Sequence, residues 1–426
     1  MEQVKQKLKD TIAARKDEIV ALARDLIRFP STKGNEADAQ CFYADKLRDL
    51  GAEVEIFEPD IEKMRKHPAF VSERETFAGS PVVAGVLKGT KSGKSGRSLI
   101  LCGHMDVVDP GLGQWTHSPW DPVAQDGKLY GRGAVDMKGG TAAHYTAVKV
   151  IREMGIQLEG NVTILSTIDE ECGSTGVLSL IDRGYRADAA ICTEPVSLKV
   201  TVATTGSTWF KIKVFGKSAH GGVAYTGVNA LYKAIPIIER VRSLEEERRL
   251  RLFGAVPIYN GSPVPFCAGV NKIEGGTWPA IVPAEVTLEG RVGLSPFEKL
   301  EDVQTELEEA IYSVAKADPW LRDHMPEISY YKSRWNSGCV PEDHAFVDTL
   351  REACKQVRGT SVEVAGMFAC SDSGTLIQFG GTPTVDFGPG PQNMAHQTDE
   401  YVDIEDLVTT CQVIAVTLLD WCAYQE

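Results

Sequence analysis

The chain has 426 residues, of which 43% are hydrophobic, and this is more than one hydrophobic core usually holds, so we expect two domains. The net charge of −14 repels nucleic acid phosphates and anionic membranes, so neither is an expected partner. No apolar run reaches the roughly 18 residues that a transmembrane helix needs. Residues 1–29 form a charged amphipathic pattern without an apolar signal core, which predicts a cytoplasmic protein.

Apolar runs typical of strands alternate with helical patterns through the first half of the chain. Strands are indicated at 81–87, 97–108, 161–171 and 187–195, and helices at 139–154 and 178–183. This alternation predicts an α/β domain with a mostly parallel central sheet flanked by helices. We interpret KGTKSGKSG (88–96) as a hairpin loop between the first two strands, because its glycine spacing does not fit a phosphate-binding loop.

The pattern changes after residue 198. Strands are indicated within 199–220 and at 286–295 and 328–333, and helices at 229–251 and 297–317. These elements predict a smaller α+β domain of one sheet and two helices at 199–333. A helix at 342–357, a strand at 382–388 and a helix at 403–424 then restore the α/β pattern. The smaller domain is therefore predicted to be inserted into a larger one, which comprises 1–198 and 334–426.

Histidine and carboxylate side chains follow the predicted strands of the larger domain. They are His104, Asp106, Asp136, Asp169, Glu170, Glu171 and Glu194, with His396 late in the chain. Ligands gather outside the carboxyl ends of the strands in an open α/β sheet, so we expect these side chains to meet at one edge. Clustered acids repel one another unless a cation neutralises them, which predicts a metal site.

Two histidines with three carboxylates, one of them bridging, would hold two divalent metal ions about 3.5 Å apart. Mixed nitrogen and oxygen ligands favour zinc, with cobalt or manganese as alternatives, over magnesium or calcium. Such a pair activates water, and a neighbouring carboxylate acts as general base. Adjacent Glu170 and Glu171 are suited to divide these tasks, and Asp106 is placed to hold the His104 ring.

Six motifs occur in one order along nearly the whole chain: GHMDVV, GRGAVDMKGG, DEECGSTG, TEP, GKSAHGG and FGPG…AHQTDEYV. In order and spacing they resemble the zinc-dependent family of acetylornithine deacetylase, succinyl-diaminopimelate desuccinylase, aminoacylase and glutamate carboxypeptidase. The acetylornithine deacetylase-like members are the most similar. The resemblance implies hydrolysis of the amide bond of an N-acyl amino acid. A dipeptidase or carboxypeptidase of the same fold is the alternative, and a non-catalytic metal-binding regulator is a further one from another class.

The resemblance also implies a role for each matching residue of the metal site. One metal ion would be bound by His104 and Glu194, the other by Glu171 and His396, and Asp136 would bridge them. Glu170 would be the general base, and Asp106 would orient His104. The peptide bond between Asp136 and Met137 is expected to be cis.

Further residues are implied to act on the substrate. His220, in GKSAHGG, matches a histidine that the second domain contributes to the neighbouring subunit's active site, which implies a homodimer through 199–333. Arg291 matches an arginine near the substrate carboxylate, with a strand-edge arginine as the alternative. Ser371 and Asp372 are expected to line the pocket for an N-acyl amino acid or short peptide. Ala280 replaces a substrate-contacting asparagine of many relatives, so the acyl group stays undetermined.

Overall fold

The computed structural model of the chain describes residues 2–91, 96–259 and 266–425, with the backbone alone at 332–334. The centre of the predicted loop at 88–96 therefore lies outside the described residues. The chain forms two compact units, one comprising Met1–Thr204, Gly338–Met367 and Ser371–Glu426, the other Thr205–Ser337 and Phe368–Cys370. The division into folding domains at 198/199 and 333/334 stays a prediction, because a folding domain is defined by its independent stability.

The described residues form helices at each position that the sequence indicated and at three further ones. The helices are α1 (Glu2–Ala14), α2 (Lys16–Ile27), α3 (Ala37–Asp49), α4 (Ile61–Met64), α5 (Gly139–Glu153), α6 (Thr175–Asp182), α7 (Ala230–Leu252), α8 (Leu300–Ala317), α9 (Ala345–Arg358), α10 (Asp372–Gln378) and α11 (Ile404–Cys422). The three further ones are α3, α4 and α10. The N-terminal amphipathic pattern forms two helices rather than one, since the backbone leaves helical geometry at Arg15 (φ −106°, ψ 23°).

The strands include short pairs that no sequence pattern marks. They are β1 (Glu53–Phe57), β2 (Val82–Leu87), β3 (Leu99–His104), β4 (Val123–Gln125), β5 (Lys128–Tyr130), β6 (Gln157–Leu158), β7 (Val162–Thr167), β8 (Ala189–Cys192), β9 (Val200–Thr204), β10 (Gly206–Phe215), β11 (Ala219–His220), β12 (Ala268–Gly275), β13 (Ile281–Val282), β14 (Glu285–Leu294), β15 (Glu327–Trp335), β16 (Gly338–Cys339), β17 (Val364–Met367), β18 (Thr384–Asp386), β19 (Tyr401–Asp403) and β20 (Tyr424–Gln425).

The first unit is built on a mixed sheet with the order β1-β2-β7-β3-β8-β18-β9-β16, and β17 also pairs with β9. The central strands β7, β3, β8 and β18 are parallel, whereas β1 and β2 pair antiparallel at one edge. The predicted α/β class is confirmed. The predicted hairpin between β2 and β3 is wrong, because the fully buried strand β7 lies between them and pairs with both.

Helices cover both faces of this sheet. On one face, apolar side chains of the strands form a core with α6 and α10, including Val82, Ile100, Leu165, Leu180 and Leu376. On the other face α5 packs against β3 and against α2 and α11. The contact is so close that a Cβ atom on Gly140 would lie 2.3 Å from the carbonyl oxygen of Thr193. This close approach brings the start of α5 next to the carboxyl end of β8.

The second unit has an antiparallel sheet in the order β12-β14-β10-β15, with α7 and α8 packed on one face. In β10, the alternating residues Phe210, Ile212 and Val214 are buried against these helices. The predicted smaller α+β layer of one sheet and two helices is thus confirmed. A separate two-stranded ribbon pairs β11 with β13.

None of the described helices combines the length and the apolar character that crossing a membrane requires.

Candidate metal centre

The carboxyl ends of three adjacent parallel strands carry candidate ligands. β3 ends at His104 and pairs with both β7 and β8. Glu170 and Glu171 follow β7 in a short 3-10 turn, and Glu194 comes two residues after the end of β8. Because parallel neighbours end at the same edge of a sheet, the fold brings these side chains to one place.

Asp136 reaches the same place from the turn Ala134–Lys138 that precedes α5. The backbone leaves helical geometry at Asp136 (φ −125°, ψ 95°), and the Asp136–Met137 peptide bond is cis, as the resemblance implied. Asp136 Oδ1 lies 3.0 Å from His104 Nε2, and Asp136 Oδ2 lies 3.4 Å from His396 Nε2. A carboxylate whose two oxygens face different histidines has the arrangement of a bridging ligand.

His396 completes the cluster from the C-terminal part of the first unit. Its backbone is left-handed (φ 64°), and its Nε2 lies 3.1 Å from Glu171 Oε1. The His396 side chain is half exposed, whereas that of His104 is buried. Ligand atoms of His104, Asp136 and Glu171 all lie within 4.8 Å of one another.

The His104 ring is held by its immediate chain neighbours. His104 Nδ1 lies 2.8 Å from the carbonyl oxygen of Asp106, which only accepts, so Nδ1 carries a proton and Nε2 is the ring atom that faces Asp136. Asp106 Oδ1 is 3.6 Å from Nδ1, while Oδ2 accepts a 3.1 Å hydrogen bond from Glu171 N. Asp106 therefore links the loops that follow β3 and β7, and its carbonyl oxygen makes the shorter contact with the ring.

The buried charges of the site are not balanced by the protein. Burial lowers the pKa of His104, but Asp136, Asp106 and Glu194 outweigh it and raise that pKa well above its ordinary value. Burial raises the pKa of Glu170 and Glu194 well above the usual range, and their carboxylate neighbours add to the effect. Each shift expresses the same electrostatic fact, namely that the cluster favours additional positive charge.

These donors fit two divalent metal ions. The five candidate ligands offer two imidazole nitrogens and three carboxylates, a mixture that suits zinc, cobalt or manganese. The ion-pair partners of Asp136 and Glu171 are His104 and His396, members of the cluster itself. A pair of dications would supply the charge that the buried carboxylates favour.

A buried ionic network behind the two glutamates was missed by the sequence analysis. Arg74 Nη1 lies 2.7 Å from Glu36 Oε1 and 3.9 Å from Asp169 Oδ1, and all three side chains are buried. Asp169 adopts a left-handed backbone (φ 65°) immediately before Glu170. Asp169 lies in the DEE motif, but Arg74 and Glu36 have no local signal, since their partners lie far along the chain.

Ser371 and Asp372 are both buried in the first unit. Ser371 Oγ donates a 2.8 Å hydrogen bond to Asp386 and accepts one from Ser373 N at the start of α10. Asp372 Oδ2 accepts a 2.6 Å hydrogen bond from Thr167 Oγ1. These contacts lie within the protein, and substrate binding by the two residues stays a prediction.

The second unit carries the remaining predicted residues. His220 is exposed at the end of β11, and its Nδ1 accepts a 3.1 Å hydrogen bond from Gly222 N, so Nε2 carries the proton of the neutral ring. Arg291 lies on β14, and its buried Nε has no hydrogen-bond partner among the described residues. Ala280 accepts a 2.7 Å hydrogen bond from Gly221 N beside His220. The roles of His220 and Arg291 stay predictions.

Comparison with known proteins identifies the family. Peptidase family M20/M25/M40 matches residues 100–420. The chain is 31% identical to the N-formyl-4-amino-5-aminomethyl-2-methylpyrimidine deformylase of Halalkalibacterium halodurans, over 96% of this chain and 95% of that protein. It is 29% identical to the acetylornithine deacetylase of Salmonella arizonae, over 78% and 82%. Its fold is similar to that of the dipeptidase Dug1p of Saccharomyces cerevisiae, with a TM-score of 0.74, 15% identity and 100% of both chains covered. The chain therefore belongs to peptidase family M20/M25/M40, a family of metal-dependent amidohydrolases and peptidases.

Proposed function

We propose that this protein hydrolyses the amide bond of a small N-acylated amine, releasing a carboxylic acid and a free amine. The observation that carries the proposal is Asp136, whose two oxygens face His104 and His396 separately. In this proposal His104 and Glu194 hold one metal ion, Glu171 and His396 hold the other, and Asp136 is shared. Zinc is the leading candidate. When bound, the ions supply Lewis acidity for the scissile carbonyl and for the attacking water.

Glu170 is the proposed general base. Its buried position in the turn after β7, one residue before the proposed ligand Glu171, supports this role. In the proposed reaction Glu170 takes a proton from the attacking water and returns it to the nitrogen that leaves. Asp106 fixes the His104 ring and the Glu171 backbone while this occurs.

The leading substrate class is an N-formylated aminomethylpyrimidine. Similarity to the deformylase extends over 96% of this chain, whereas similarity to the acetylornithine deacetylase extends over 78%. An N-acetyl amino acid such as acetylornithine is the second candidate. It is favoured by Arg291, whose buried Nε has no partner among the described residues and whose guanidinium suits a substrate carboxylate.

A substrate panel tests this proposal directly. The zinc-loaded protein is assayed with N-formyl-4-amino-5-aminomethyl-2-methylpyrimidine, acetylornithine, succinyl-diaminopimelate and a set of dipeptides. We expect the highest kcat/KM with the formyl compound. A preference for acetylornithine that Arg291→Met abolishes would favour the second candidate, and cleavage of dipeptides alone would contradict the deacylase proposal. A protein that binds metal but cleaves nothing in the panel would favour the regulator.

We also propose that the protein is a homodimer through residues 199–333, in which His220 serves the partner's active site. The exposed imidazole with a protonated Nε2 supports this role, because such a group donates a hydrogen bond to a developing oxyanion. Mixing the inactive variants Glu170→Gln and His220→Ala tests it. With free subunit exchange, half of the dimers are mixed and contain one intact site, so activity should return to about a quarter of the wild-type value. No recovery in verified mixed dimers would contradict the shared site.

A further inference from the structure

We propose that Glu400 is a positioning residue of the metal site, which fixes the backbone at Asp136 relative to the segment that carries His396. This inference rests on the proposed function, since it gives Glu400 a role toward the metal ions that these two residues would bind. Glu400 lies directly before β19 and is fully buried. Glu400 is part of the AHQTDEYV motif, but none of the roles described above is assigned to its side chain.

The contacts of Glu400 converge on one turn. Glu400 Oε1 accepts hydrogen bonds from the backbone N–H groups of Val135 and Asp136, at 3.0 and 3.2 Å. The carbonyl oxygen of Glu400 accepts a third, 3.0 Å hydrogen bond from Gly131 N. One residue therefore holds both the approach to the turn Ala134–Lys138 and the amide of the candidate bridging ligand.

The backbone N–H groups of Val135 and Asp136 need an acceptor from outside the turn. Val135 and Asp136 lie at the start of the turn, where N–H groups have no acceptor within the helical segment, and the backbone then leaves helical geometry at Asp136 and Met137. A buried N–H group without a partner is strongly unfavourable. The Glu400 carboxylate satisfies two consecutive N–H groups with one oxygen, and this fixes the direction in which the Asp136 side chain leaves the backbone.

The second oxygen of Glu400 is occupied by Arg132. Arg132 Nη1 donates a 2.5 Å hydrogen bond to Glu400 Oε2, and the exposed fractions of the two side chains are 2% and 1%. Arg132 Nη2 also donates to the carbonyl oxygen of Asp109 at 3.4 Å. Both carboxylate oxygens of Glu400 are thus committed to donors of the protein, so Glu400 acts through Asp136 rather than as a metal ligand.

The same segment carries His396, four residues before Glu400. It is anchored further at Asp399, whose carboxylate accepts 2.7 Å hydrogen bonds from the Thr116 backbone and hydroxyl. Glu400 therefore connects the segment of His396 to the turn of Asp136, and the 3.4 Å between Asp136 Oδ2 and His396 Nε2 is a distance between these two segments. Loss of Glu400 should disturb the metal ion shared by Asp136 and His396 more than the ion on His104.

The test is a calorimetric titration of the chelator-treated full chain with Zn²⁺, for the wild type, Glu400→Gln, Glu400→Ala and Arg132→Lys. We expect Glu400→Gln to bind one of two ions about 10- to 100-fold more weakly, the range typical of residues that orient metal ligands. At saturating zinc, kcat should fall while KM changes little. Glu405→Gln is the control, because Glu405 is an exposed glutamate of the following helix whose contact is a 3.3 Å surface pair with Lys16. It should bind both ions as the wild type does.

The possible results of the titration distinguish failure of the positioning role from failure of the proposed function. Two ions bound with wild-type affinity by Glu400→Gln and Arg132→Lys would overturn the positioning role and leave the proposed function standing. A weakened second ion in a chain whose wild type cleaves nothing in the substrate panel would support the positioning role and contradict the proposed function. A wild type that binds no zinc would overturn both. Circular dichroism of the chelator-treated chains identifies any variant that fails to fold. The zinc titration of the remaining variants then tests the positioning role.

Discussion

Glu170 and Glu171 are adjacent in sequence but have different surroundings. The Glu171 carboxylate lies 3.1 Å from His396 Nε2, and its backbone N donates to Asp106. Glu170 is buried, and among the neighbouring charges His104 and Glu194 influence its pKa most, after the effect of burial. The short turn after β7 thus gives the two carboxylates different neighbours, and the assignment of Glu171 as ligand and Glu170 as base stays a prediction.

Glu170→Gln should separate catalysis from metal binding. Removing a general base typically costs about 100- to 10,000-fold in rate, so we expect kcat to fall by this factor with the metal content unchanged. The matched variant Glu171→Gln should lose metal as well as activity, and elemental analysis beside the rate assay distinguishes the two. Full turnover by Glu170→Gln would rule out its role as the base.

His144 gives a prediction about acid stability. It is fully buried, its Nε2 lies 3.0 Å from the Tyr43 hydroxyl, and burial lowers its pKa to about 3. Above about pH 6.5 the ring is neutral in both folded and unfolded chains. Below that pH the unfolded chain takes up a proton that the folded chain refuses, so this residue reduces stability by about 1.4 kcal/mol per pH unit down to the folded pKa.

His144→Gln should therefore make the free energy of unfolding fall less steeply between pH 6.5 and 5. Urea unfolding in the presence of chelator measures this slope without a contribution from metal release. Thr146→Val, at another buried residue of α5 that carries no titratable group, is the control and should keep the wild-type slope. An identical slope in His144→Gln would contradict the burial argument.

At the scale of elements, the start of α5 decides how closely the helix approaches the sheet. A Cβ atom on Gly140 would lie 2.3 Å from the Thr193 carbonyl oxygen, and one on Gly103 would lie 2.5 Å from Thr141 Oγ1. Thr193 directly precedes Glu194. The two glycines therefore permit a helix-to-strand contact that also sets the position of a candidate ligand.

Gly140→Ala should displace the end of β8 and with it Glu194. Overpacking of this kind typically costs about 1–3 kcal/mol of stability, and we expect weaker metal binding in addition. Thermal unfolding and metal content are the two measurements. Gly269→Ala is the control, because its Cβ would meet its nearest atom at 3.5 Å. Unchanged metal binding in a destabilised Gly140→Ala would show that the contact supports the fold alone.

At the scale of the whole molecule, metal ions should stabilise the fold as well as catalyse the reaction. The buried carboxylates of the site favour positive charge, so binding to the folded state alone raises stability by about 2.7 kcal/mol at 100 times the dissociation constant. Chelation should therefore abolish activity and lower the Tm, and added Zn²⁺ or Co²⁺ should restore both. Mg²⁺, which prefers an all-oxygen site, should restore less. A Tm unaffected by chelator in a verified metal-free chain would contradict this prediction.

Local sequence patterns located most of the long elements, because helical and strand periodicity reflect the face that each element buries. They gave the strand order wrongly at β2 and β3, where a hairpin was expected and β7 intervenes. Pairing of β7 with both strands depends on segments about 60 to 80 residues apart, which no local window contains. The Arg74–Glu36 and Arg132–Glu400 pairs escaped notice for the same reason.

The sequence by itself determined the class of the molecule, the candidate ligands and the chemistry they suit. Residue type alone decides which side chains can hold a divalent ion or move a proton, and motif order ties them to one family. Only the tertiary structure decided that the Asp136 oxygens face two different histidines and that the Asp106 carbonyl oxygen contacts the His104 ring. It also decided that Glu400 accepts hydrogen bonds from the turn that carries Asp136. These are distances between segments far apart in the chain, and they are set by strand order and helix packing rather than by local composition.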